Sequence, residues 1–225
     1  MSAFDLSQLL QIVSVVAIPG IFAITMHEVA HGWAARKLGD PTAFMLGRLS
    51  LNPLKHVDPL GTVVVPLAML WLSHGASAFG WAKPVPVAFR NLRHAKRDMV
   101  LVAAAGPGAN LVMATTWTLL AILFGRLLPD FQLATDWLLN VCAFGIRFNV
   151  LLMVFNLVPI PPLDGGRVLS GLLPRSASDV LDRIEPFGII IVLLLMLGPV
   201  PVLWNVMEPF VRLFVDFFFA AAGFR

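Results

Sequence analysis

Residues 99–128 form a stretch of thirty with a single charged side chain, Arg126. A helix needs about 20 apolar residues to cross the roughly 30 Å hydrocarbon core of a bilayer, and this run exceeds that. Similar runs cover about 9–38, 133–158 and 187–204. No water-soluble domain can cover that much apolar helix. The whole chain agrees, being 58% hydrophobic and 13% charged where a soluble domain is nearer one half and one quarter. An all-α polytopic membrane protein is therefore expected, with about four full transmembrane helices.

Two further regions are less regular. Residues 59–75 ("PLGTVVVPLAMLWLSHG") are apolar but short and interrupted by Pro66, and "FGWAKPVPVAFRNLRHAKRD" (79–98) is punctuated by proline and strongly basic. The alternation in "VPVAF" favours an edge strand or extended chain over helix. Basic residues gather after the first span (Arg36, Lys37, Arg48, Lys55), before the second (Lys83, Arg90, Arg93, Lys96, Arg97) and after "PPLDGG" (Arg167, Arg175, Arg183). The positive-inside rule assigns all three groups to the cytoplasm. That requires 59–75 to enter the membrane and return on the same side, as a re-entrant, β-like loop region. Glu208, Arg212 and Asp216 follow at four-residue spacing, which reads as a C-terminal amphipathic interfacial helix or a short last span.

Residues 1–225 read as one membrane-embedded domain, without Ser/Gly linker or internal repeat. The first twenty residues lack the basic n-region of a cleaved signal peptide. Cys142 is the sole cysteine and the net charge is +3, so neither an internal disulfide nor a nucleic-acid partner is expected.

The chemistry lies in "TMHEVAHG" (25–32). Each ionisable residue at membrane depth costs at least about 2–3 kcal/mol unless paired or hydrated, yet two histidines and one of only three glutamates fall within five positions. His27 and His31 are one helical turn apart on one face, so both imidazoles can reach one ion. Glu28 beside them can take a proton from a metal-bound water. This is the H-E-x-x-H arrangement of zinc metalloproteases, in which zinc brings the pKa of its water to about 7. A catalytic zinc takes a third protein ligand, and Asp164 is placed to supply it. It follows a proline-forced helix break, two spans after His31, where the chain returns to the cytoplasmic end.

The residues "HEVAHG" (27–32), "GPGAN" (106–110) and "NLVPIPPLDGGRVL" (156–169) resemble those of the site-2 protease family of intramembrane zinc metalloproteases. "LSLNPLKHVDPLGT" (49–62) and "FGWAKPVPV" (79–87) resemble the short bacterial and archaeal members without a PDZ or CBS domain. The resemblance implies one zinc per chain on His27, His31 and Asp164, with Glu28 as general base and a catalytic core of about 8–173. It further implies a prokaryotic multi-pass protein of the cell membrane, its active site facing the cytoplasm. The substrate would be a transmembrane or membrane-anchored segment of another protein, cut in or near the bilayer.

Three other polar residues are candidates. Asn110 either donates to the oxyanion or substrate backbone or bonds another helix. Asn156 either binds substrate or satisfies carbonyls freed by the prolines. His56 either approaches the metal or holds the loop. His74 and His94 read as ordinary loop histidines, and Arg147, mid-span, calls for a carboxylate or a hydrated surface. A divalent-metal carrier using the same ligands is the rival function. It would extend polar groups toward the outer face and break helices in both halves, whereas here the polar residues cluster on one side. Glu28, moreover, is not needed to hold a metal.

Overall fold

The computed structural model describes residues 6–72, 80, 82–128, 132–197 and 201–224, and the described residues contain helices but no strand. Among the described residues, three helices are long and apolar enough to cross a membrane: Val13–Lys37 within α1 (Leu6–Lys37), α4 (Ala95–Leu127), and Thr135–Asn156 within α5 (Gln132–Asn156). They pack against one another as a bundle. Close approach in α4 relies on small residues, since Ala103, Gly106, Ala114 and Ala121 are all buried. Without a hydrophobic drive between helices in lipid, such residues permit the dense packing that holds the bundle together. The opposite side of α4 presents Val112, Leu119 and Leu127, each more than 60% exposed, as a lipid-facing surface requires.

The expected fourth span, about 187–204, includes residues outside the described ones. Residues 188–197 form α8 (Gly188–Leu197), and α9 (Val202–Ala222) starts after Pro201, which occupies its N-cap. The C-terminal helix α9 packs on α5 and α4 and buries Leu203, Met207 and Phe218 in the main core, beside Trp117, Cys142 and Ile146. Its charged stripe lies on the other side, where Arg212 bonds Glu208 at 2.6 Å. Gly223 ends it in the left-handed conformation at φ +81°, the common glycine C-cap.

Between α1 and α4 lie a short helix, α2 (Thr42–Met45), a wide turn over Pro59–Val64, and α3 (Val65–Leu72). Asp58 caps the turn, accepting from the Gly61 N–H at 2.7 Å, with Pro59 in the first position, where its missing N–H has no cost. The Lys83 N–H donates to the His56 carbonyl at 2.9 Å. His56 and Lys83 are therefore adjacent. Residues 82–88 are neither helix nor strand and form no ladder. Pro84 and Pro86 lack the N–H groups that one strand edge would need.

After α5, the prolines of "NLVPIPPLDGG" break the chain, and α6 (Asp164–Leu172) and α7 (Arg175–Ile184) follow. The first turn of α6 lies directly on the broken backbone. A β-carbon at Gly165 would run into the carbonyl oxygens of Leu157 and Val158, and one at Gly166 would come 2.5 Å from the Pro161 nitrogen. That contact turns Asp164 back toward α1.

Candidate metal centre

α1 supplies His27 and His31 from successive turns, with ring centres 4.6 Å apart and planes at 86°. α6 brings the Asp164 carboxylate against both. Its Oδ2 lies 3.2 Å from each Nε2, and the two Nε2 atoms are 3.0 Å apart. His27 and Asp164 are 7% and 9% exposed.

The other ring nitrogens set the tautomers. His27 Nδ1 donates to Asn110 Oδ1 at 2.7 Å, and His31 Nδ1 donates to the Val102 carbonyl at 2.8 Å. With its proton on Nδ1, each imidazole turns a lone pair at Nε2 toward Asp164. Three lone-pair-bearing atoms thus converge, and the buried Oδ2 has no hydrogen-bond partner. Such a triangle is self-repelling unless a cation enters it. Tetrahedral zinc, with bonds of about 2.0–2.2 Å to nitrogen and oxygen, spaces its ligands by roughly 3.3–3.5 Å. The residues fit that ion, and the hydrogen bonds behind both histidines are the supports that metal-binding imidazoles use.

Asn110 is itself held. Its Nδ2 donates to the Asn149 Oδ1 at 3.0 Å and to the Ala23 carbonyl at 3.3 Å, and Asn149 Nδ2 donates to the Gly145 carbonyl at 2.8 Å. Both asparagines are fully buried. A relay therefore runs from α5 through α4 to the histidine on α1, and the Asn110 side chain is committed at both ends.

Glu28 is outside the ligand triangle. Its Oε2 accepts the Val85 N–H at 2.7 Å. The other candidates bond elsewhere: Asn156 donates to the Leu152 carbonyl at 2.9 Å, and His56, 3% exposed, donates from Nε2 to the Ser50 carbonyl at 2.8 Å. His74 lies outside the described residues. Arg147 sits 4.8 Å above the Phe219 ring and faces, with Glu208, Arg212 and Asp216, a cavity of about 310 Å³ between α5 and α9. The cavity gives the Arg147 guanidinium a polar surface, which an arginine in a membrane span needs.

The description "Peptidase family M50" matches residues 15–198. The chain belongs to peptidase family M50. This is the site-2 protease family, and the chain is a zinc metalloprotease of it. It is 38% identical over 194 residues to the protein named "Putative zinc metalloprotease YwhC" of Bacillus subtilis, covering 84% of this chain and 83% of that one. It is 31% identical over 179 residues to "Putative zinc metalloprotease Rip2" of Mycolicibacterium smegmatis, covering 80% of this chain and 65% of that one. No solved structure matches the chain.

The motifs assign no role to four participants in this M50 centre, although Gly106 lies in "GPGAN" and Val85 in "FGWAKPVPV". Gly106, Val102, Asn149 and the Val85 amide all touch or brace the site. Asn149 had a signal, an asparagine inside an apolar span. Val102 and Val85 act through backbone atoms and have none.

Proposed function

We propose that this M50 chain is an intramembrane endopeptidase that cuts transmembrane or membrane-anchored segments of other proteins. One zinc is held by His27, His31 and Asp164, and Glu28 is the general base. The carrying observation is the division of labour on α1. Two imidazoles and the Asp164 carboxylate converge on one point, while the Glu28 carboxylate, between the histidines in sequence, is held by a different partner. A metal carrier has no use for a carboxylate kept out of the ligand set.

When bound, zinc lowers the pKa of its water and polarises the scissile carbonyl. Glu28 receives the proton from that water and returns it to the leaving amine. His27 and His31 stay oriented through Asn110 and Val102. A substrate helix must unwind before its carbonyl is accessible, and the 82–88 segment can receive the unwound chain by strand addition at Val87, the Val85 N–H being held by Glu28. Residues 1–225 act as one domain in the cell membrane, with the site opening to the cytoplasm. The basic loops and the meeting of His56 with Lys83 support that orientation.

The test measures metal content and cleavage of a model transmembrane substrate by wild type and Glu28→Gln. About one zinc per chain in both, with cleavage lost only in the variant, is expected. Undiminished cleavage by Glu28→Gln refutes the assignment of the base.

A further inference from the structure

Glu28 is anchored by a main-chain group 57 positions away in sequence. We propose that the Val85 N–H is a positioning group for the Glu28 carboxylate, and that Pro84–Val85–Pro86 is the device that delivers it. The proposal rests on Glu28 being the general base.

Proline on both sides has two effects. It leaves Val85 as the sole main-chain donor among the three residues, and it confines the chain to extended conformations, because proline fixes its own φ and restricts the residue before it. The segment is pinned on both sides of Val85. Arg48 Nη2 donates to the Lys83 and Pro84 carbonyls at 2.9 and 3.3 Å, Lys83 N–H donates to the His56 carbonyl at 2.9 Å, and Ala88 N–H donates to the buried Asp40 carboxylate at 2.7 Å. The Val85 side chain is 7% exposed and packs on α1 at Gly32, where a β-carbon would come within 2.8 Å of Val85 Cγ1. One turn of α1 thus carries both the base and the glycine that admits its anchor.

The consequence is chemical. A glutamate side chain has three rotatable bonds, and a charge-assisted hydrogen bond to Oε2 selects one setting of them. Oε1 is then the oxygen left to take the proton. Losing the anchor leaves the metal ligands untouched and misplaces only the base, an error of the size that costs about 10²-fold in rate.

The test compares Val85→Pro with Val85→Ala in the full chain in nanodiscs, reading zinc content, kcat and KM on a transmembrane substrate peptide. Both substitutions alter the side chain, and only the first removes the N–H. With one zinc bound in each, kcat of Val85→Pro is expected to lie about 10²-fold below that of Val85→Ala, with KM similar. Equal kcat at equal zinc overturns the proposal, and a change confined to KM assigns the segment to substrate docking alone. A second measurement does not depend on the proline variant folding. In ¹⁵N-valine-labelled protein, the Val85 amide proton is expected downfield and should move upfield in Glu28→Ala. An unmoved resonance refutes the anchor. If Glu28→Gln cleaves as wild type does, the base assignment has failed, whatever Val85 does.

Discussion

Gly106 lies directly against His31. A β-carbon at this position of α4 would come 2.5 Å from Cε1 of His31 and 2.6 Å from Cε1 of His27. The hydrogen in place of a side chain is what lets α4 press on the imidazole pair.

Gly106→Ala should therefore displace the rings and weaken zinc binding, with a packing cost of about 1–3 kcal/mol. Gly108, two residues on, has no atom within 4 Å of its would-be β-carbon, and Gly108→Ala should bind zinc as wild type does. Zinc per chain after gel filtration, read on both variants, checks the pair.

Asn110→Ala removes the acceptor for the His27 Nδ1 proton. Loss of such a support lowers metal affinity about 10–100-fold, which competition with a chelator measures. Asn149→Ala acts one link further out and should have the smaller effect. If Asn110→Ala keeps full zinc affinity and loses cleavage, the side chain serves the substrate instead.

Chelation should reveal the coupling of metal to fold. A ligand at 100 times its dissociation constant stabilises the state that binds it by about 2.7 kcal/mol. Thermal unfolding in detergent is expected to shift down when zinc is removed from wild type and up when it is restored. Asp164→Asn and His27→Ala should respond to neither treatment. A wild-type unfolding temperature indifferent to zinc would count against the site.

Asp40 makes a pH prediction outside the spans. Its burial alone would raise its pKa, but hydrogen bonds from the side chains of Thr42 and Asn91 and the N–H groups of Ala88 and Thr42 outweigh that and hold it below the ordinary carboxylate value. The folded state thus prefers the ionised form. Its stabilisation is present above the unfolded pKa of about 3.9 and is lost as pH falls through the lower folded value. Asp40→Asn should be less stable near neutrality by roughly 1.5–3 kcal/mol, the scale of hydrogen bonds to a charged group, and should lose less than wild type on acidification below about pH 4. Unfolding temperature against pH for both proteins decides it.

Local rules govern much of this chain. The length of an apolar run sets whether it can cross a bilayer, and a 3.6-residue turn places His27 and His31 on one face, so the spans and the pairing of the histidines were open to a reader of the residues alone. The prolines before Asp164 required a break there for the same local reason. What tertiary packing decided is everything that joins distant elements. Asn149 braces Asn110, Gly106 admits the imidazoles, Val85 holds Glu28, and α9 packs on α5 and α4. These contacts span 39 to 79 positions or run through backbone atoms, which carry no residue-specific mark. Helical periodicity says which face a side chain takes. Only the angle and depth at which three helices meet say what that face will touch.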